Sequence, residues 1–136
     1  MWSQRAGRGR PIVWDYHVIV LAEGPFEVWD VDTTLGLPLP ADEYLAKSFH
    51  EGVAEPYQPR FRLVPAEVYV DVFCSDRSHM RKPDGSFERP PPKWPTITPP
   101  GRTPNLKMFV DMERPFLGEV VDLEELKRRT IEKPRR

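Results

Sequence analysis

The stretch IVWDYHVIVLAEGPFEVWDVDT, Ile12–Thr33, decides how the rest of the chain is read. It divides into two apolar runs, Ile12–Leu21 and Phe26–Val31, rich in the β-branched and aromatic residues that suit a pleated surface. Ala22-Glu23-Gly24-Pro25 lies between them and carries Gly and Pro, so the stretch predicts a β-hairpin. A two-residue loop (Glu23-Gly24) and a four-residue loop (Ala22–Pro25) give one register, with Leu21 opposite Phe26, Ile19 opposite Val28 and His17 opposite Asp30. Opposed side chains share a face, their Cβ atoms about 4.5–5.5 Å apart. A carboxylate at that distance accepts the imidazole N–H and fixes the ring's tautomer and direction, as the acid of a catalytic triad does. Taken alone, such a pair is more often only a satisfied polar contact between strands. Two details favour chemistry. The pair interrupts an apolar stripe of Val13, Ile19, Leu21, Phe26 and Val28. The same register also sets Asp15 against Asp32, an unfavourable like-charge contact that a chain tolerates where a site or a strand end requires it.

Bulk properties narrow the remaining classes. A chain of 136 residues fits one domain, and 20 Lys+Arg against 21 Asp+Glu leave no field that would select nucleic acid or an anionic membrane. One cysteine excludes an internal disulfide framework and any cysteine-based zinc site, which suits a reducing cytosol, so a cytoplasmic location is expected. A monomer is expected as well. No apolar run approaches the length of a membrane span, and MWSQRAGRGRP has charge without an apolar core, so no secretory signal is read there. His17, Asp30 and Asp32 offer nitrogen and oxygen ligands, but no H-x-E or H-E-x-x-H spacing accompanies them, and neither a metal nor a cofactor is expected.

Working outward, residues 1–10 read as a flexible basic leader, and 12–33 as the hairpin that carries the site. Thr34–Pro40 is an extended connector, because Pro38 and Pro40 discourage helix. Ala41–His50 predicts a helix with Tyr44, Leu45, Ser48 and Phe49 on one side and Gly52 as its stop. His50 in its last turn is a surface residue that suits the helix dipole. Arg60–Val64 is a strand. Pro65–Cys74 fits either a strand or a helix, since it alternates yet also offers Val68/Val72 and Tyr69/Phe73 at helical spacing. SDRSHM, Ser75–Met80, has the hydroxyl and acid density of a loop that bonds its own backbone. KPDG at Lys82–Gly85 is a turn that leads into a proline-rich strap, residues 83–104, in which Phe87 and Trp94 are the expected anchors. A helix over Leu106–Met112 with Asn105 as N-cap, a strand over Gly118–Val121, a capped helix from Asp122 to Arg128–Arg129 and a free tail (130–136) complete the chain. The order predicts a single α+β domain over 1–136, an antiparallel sheet built on the central hairpin with flanking helices.

Six strings occur in one order: WDYH (Trp14–His17), WDVDT (Trp29–Thr33), FRLV (Phe61–Val64), SDRSHM (Ser75–Met80), FERPPPKWP (Phe87–Pro95) and NLKMFVDM (Asn105–Met112). In this order, from about Pro11 to the helix after Asp122, the chain resembles the protein N-terminal glutamine amidohydrolase family. The resemblance implies a papain- or transglutaminase-like scaffold and a cysteine-dependent amidase that turns a protein's N-terminal glutamine into glutamate and releases ammonia. It places the triad histidine at His17 and the triad acid at Asp30, the pair reached above from register. It favours helix for Pro65–Cys74 and sets SDRSHM at the rim of the site, with Arg77 or His79 positioning the substrate or the acid. Asp15 or Asp32 would supply the negative recess that an N-terminal amine needs.

The family's nucleophilic cysteine lies upstream of WDYH, in a Cys-rich segment leading into a helix. Cys74 lies downstream and follows Phe73 in an apolar run, so it is expected to be a packing residue. The 136 residues are therefore expected to hold His17 and Asp30 without their thiolate, and to be inactive alone. The competing expectation is an inactive truncated remnant, or a module that binds protein N-termini without cutting them.

Overall fold

The computed structural model describes residues 1–131. They form two compact units, one of Met1–Leu63 with the segment from Glu119 onward and one of Val64–Gly118. The order of elements is α+β, with small antiparallel sheets and four α-helices among the described residues. The tail expected over 130–136 falls mostly outside them.

The first unit is built on the hairpin, with strands far shorter than the apolar runs that announce them: β1 is Val20–Ala22 and β2 is Glu27–Trp29. Their register differs from expectation. Leu21 stands opposite Val28 and Val20 opposite Trp29, so β2 has slipped by two residues and the loop is Glu23–Phe26. A two-residue slip keeps every side chain on its own face, so the hydrophobic pattern cannot tell the registers apart. Contacts beyond the hairpin select one. Phe26 packs against the core from the loop, and its carbonyl accepts the Ala41 N–H at 3.0 Å. The connector also contributes a strand the sequence did not announce, β3 at Leu39–Pro40, which pairs with β2 so that Leu21, Val28 and Leu39 form one row across the sheet. Pro40 sits on an edge strand, where its missing N–H is tolerated.

Helix α1, Ala41–Ser48, starts at once after β3 and buries Ala41, Tyr44, Leu45 and Ser48, the i, i+3, i+4, i+7 stripe of one helical face. It ends before His50, which stacks on Trp2 with ring centroids 4.9 Å apart. Strand β4, Arg60–Leu63, pairs with β5, Glu119–Asp122, and α4, Leu123–Ile131, follows. Asp122 caps α4 by accepting the Glu125 N–H at 2.8 Å, as its sequence foretold. Val28, Leu39, Ala41, Tyr44, Leu45, Val121 and Leu126 make the buried core. Each large apolar side chain among them stabilises the unit by about 1.5–3 kcal/mol through burial.

The leader is docked rather than frayed. The Trp2 N–H donates to the Ser48 carbonyl (2.8 Å), the Arg5 N–H to the Asp32 carbonyl (2.7 Å), and Gln4 bridges Thr33 as in a sheet. The WDVDT string accounts for this anchorage. Asp32 Oδ2 also accepts the Ala6 N–H at 3.3 Å, and the Thr33 hydroxyl donates to the Ser3 carbonyl at 3.4 Å.

In the second unit, Pro65–Cys74 resolves as helix α2, Ala66–Val72. Tyr69 and Phe73 stack at 4.9 Å and meet Phe109 of α3, Leu106–Val110, edge to face. Asn105 is not a side-chain cap for α3. Its amide instead donates to the Val72 carbonyl (2.7 Å) and accepts the Cys74 N–H (2.9 Å), fastening the end of α2. The strap lies along Ser75, whose N–H donates to the Ile97 carbonyl. Trp94, expected as its anchor, is 67% exposed, while Phe87 is half-buried beneath the Arg81 guanidinium at 4.1 Å.

Candidate active site

Asp30 follows Trp29, the last paired residue of β2, and opens a tight Asx-type turn, with its Oδ1 accepting the Asp32 N–H at 2.9 Å. His17 lies three residues before β1 in an irregular segment, and its Nε2 is 2.9 Å from the same Oδ1. The pair therefore forms, though not between opposed strand residues. In the observed register Asp30 would face Ile19, and His17 reaches it from one diagonal away, within reach of a long side chain. Trp14 stacks on the His17 ring, centroids 4.9 Å apart and planes 11° from parallel, covering one face of the imidazole. The His17 side chain keeps 18% of its surface exposed while the Asp30 carboxylate has none, so the ring alone presents chemistry outward.

Two further groups complete the shell. Gln4 Nε2 donates to Asp30 Oδ2 at 2.9 Å and the Tyr44 hydroxyl donates to the same oxygen at 2.7 Å. Both residues are buried. Neither stood out in the sequence: Gln4 belonged to a segment read as a flexible leader, and Tyr44 to the apolar side of a helix. The only local signal was Tyr44 as the one hydroxylated ring in that stripe, since a buried phenol needs a partner.

Burial of the Asp30 carboxyl opposes its ionisation. The hydrogen bonds from Gln4, Tyr44 and the Asp32 N–H, with the charge of His17, outweigh that and hold it below the usual carboxylate range. Burial, followed by the bond to ionised Asp30, pushes the Tyr44 phenol far above its ordinary value. Asp30 is thus an acceptor only, and the His17 nitrogen facing it must carry the proton. In the neutral ring this leaves Nδ1 as the free base.

A stability effect follows. Because folding depresses the Asp30 value, its ionised form favours the fold at any pH above the ordinary carboxylate value of 3.8, and this contribution is lost as pH falls from there through the depressed value. Denaturant midpoints measured from about pH 6 down to about pH 2 are expected to fall more steeply for the native chain than for Asp30→Asn. Parallel curves would place the acid response on other carboxylates.

The remaining candidates are arranged otherwise. Asp15 is exposed, and Asp32 is half-buried and engaged with Ala6. Among the described residues no three His, Cys, Asp or Glu side chains gather as a metal site. In the second unit SDRSHM does bond its own backbone: Ser75 Oγ accepts the Arg77 N–H and Asp76 Oδ1 the Ser78 N–H. The Arg77 guanidinium donates to the carbonyls of Pro92, Trp94 and Pro95, so it clasps the strap, and His79 is exposed. Cys74 is fully buried, its Sγ 3.8 Å from the Arg102 carbonyl.

Residues 1–130 match the family model for N-terminal glutamine amidase. The chain belongs to this family. The N-terminal glutamine amidase relatives include the protein N-terminal glutamine amidohydrolase of Danio rerio, 38% identical over 130 residues covering 90% of this chain and 64% of that protein. Those of Caenorhabditis briggsae (35% over 123 residues, 85% of this chain, 66% of the relative) and Drosophila mojavensis (43% over 105 residues, 71% and 51%) agree. The chain thus spans between about half and two thirds of the length of these amidase relatives.

Proposed function

We propose that this protein serves the deamidation of N-terminal glutamine in proteins, as a cytoplasmic monomer built on a papain- or transglutaminase-like scaffold. His17 is the base of a Cys–His–Asp triad and Asp30 is the acid that orients it. The observation that carries the reading is the 2.9 Å contact from His17 Nε2 to a carboxylate wholly withdrawn from solvent. The names of the relatives support the substrate class.

The thiolate comes from chain outside these 136 residues, because Cys74 is enclosed and its thiol faces a carbonyl. The thiolate attacks the side-chain carbonyl carbon of glutamine. The C–N bond breaks as the His17 imidazolium gives its proton to the departing nitrogen, and ammonia leaves behind a thioester. Water then attacks the thioester, losing a proton to His17, the C–S bond breaks, glutamate is released and the thiol is regenerated. Asp15, exposed two residues before His17, supplies negative charge for the substrate's terminal amine.

The outer face of the hairpin carries Val20 and Trp29 as an opposed pair, with Val18 and Val31 beyond them, at 54%, 44%, 56% and 81% exposure. An apolar row of this kind suits contact with further chain of the family's length rather than water. The burial of Cys74 also fits a second reading, a module that binds protein N-termini without cutting them. Ammonia release separates the two. With the family's additional length joined to these residues, release is expected from peptides that begin with glutamine and not from peptides with glutamine only inside. Equal release from both, or none from either, would sink the amidase reading.

A further inference from the structure

We propose that Tyr44 and Gln4 are positioning residues that clamp one oxygen of Asp30, so that its other oxygen fixes the proton of His17 on Nε2. The proposal deepens the amidase reading and rests on it for its catalytic meaning. The geometry divides the carboxylate cleanly. Oδ2 takes the Tyr44 hydroxyl at 2.7 Å and the Gln4 amide at 2.9 Å, whereas Oδ1 takes His17 Nε2 and the Asp32 N–H, each at 2.9 Å. Four donors on one buried carboxylate leave it no second orientation, and a carboxylate that cannot turn holds the ring in one plane and one tautomer.

The donors come from separate parts of the first unit. Tyr44 stands on α1, where the Phe49 ring meets it edge to face at 6.4 Å, and Gln4 is carried in by the leader that Asp32 and Thr33 fasten. Gln4 also shows where its amide is committed. Its Nε2 serves Asp30 while its buried Oε1 has no hydrogen-bond partner among the described residues, an arrangement unfavourable for stability alone.

The test is ¹⁵N spectroscopy of the His17 ring in the 136-residue chain, in alkaline buffer where an imidazole is neutral, for the native protein, Tyr44→Phe and Gln4→Leu. Tyr44→Phe keeps the ring and its packing and removes only the donor. Each folded variant, checked by its melting curve, is expected to convert the single Nε2–H tautomer of the native chain into a mixture. In the chain extended to the family's length, each should lower kcat by about 10- to 100-fold, as expected for one charge-assisted hydrogen bond, with KM unchanged. Should one variant fail to fold, the other carries the same test. Should neither fold, the native spectrum decides: one Nε2–H tautomer supports the clamp and a mixed ring overturns it. A native-like tautomer in a folded variant also overturns it. If the tautomer shifts as expected while neither the 136 residues nor the extended chain releases ammonia, the clamp stands and the amidase reading falls.

Discussion

The 136 residues alone are expected to release no ammonia above the spontaneous rate from peptides that begin with glutamine. Joined to the additional length found in the relatives, they are expected to gain roughly 10⁶-fold, the scale set by loss of the nucleophile in a comparable triad. On the proposed triad His17 and the buried Asp30 would take up and return a proton, but the thioester would need a sulfur aligned with His17. Cys74 is not expected to substitute. Its sulfur is buried against the Arg102 carbonyl, and the Asn105 amide grips its backbone on the way out of α2. The control is Cys74→Ala in the extended chain, which should retain turnover, alongside His17→Ala, which should abolish it. Strong activity of the 136 residues alone, lost on Cys74→Ala, would make Cys74 the nucleophile and reverse the assignment.

Asp30→Asn in the extended chain is expected to lower turnover by about 10⁴-fold, the loss seen when a triad acid becomes an amide and the histidine takes the wrong tautomer. The effect should be large here because the site offers no substitute acceptor: Gln4, Tyr44 and the Asp32 N–H all donate toward the carboxylate. An asparagine amide would turn its own N–H groups on one of them or on the ring. Because the bonds to ionised Asp30 outweigh its burial, the variant should be less stable than the native chain near neutral pH and should lose less of its stability toward acid. Unchanged kcat in Asp30→Asn would reduce the pair to a structural contact.

How much of this was legible follows from the range over which each feature is encoded. The hairpin, its faces and the start of α1 were written locally, in alternation, turn residues and an i, i+3, i+4, i+7 stripe. A period is a property of neighbours and survives without knowledge of the fold. His17 and Asp30 were legible for the same reason, since their shared face depends on parity, and parity survived the two-residue slip. The register itself was not legible. Phe26 packing on the core and its carbonyl bonded to Ala41 decided it, and neither contact lies within the hairpin. For the same reason β3 looked like a mere connector, since a strand this short exists only where a neighbour pairs with it.

The shell around Asp30 belongs wholly to tertiary structure. Gln4 lies 26 residues from Asp30 and Tyr44 lies 14 away, and nothing in a glutamine within a basic leader or a tyrosine on an apolar stripe marks a shared carboxylate. The sequence by itself determined which residues could carry a proton. Only the packing of leader, hairpin and α1 determined how that carboxylate is held, because four hydrogen bonds converge on it only after those segments have buried their apolar faces against one another.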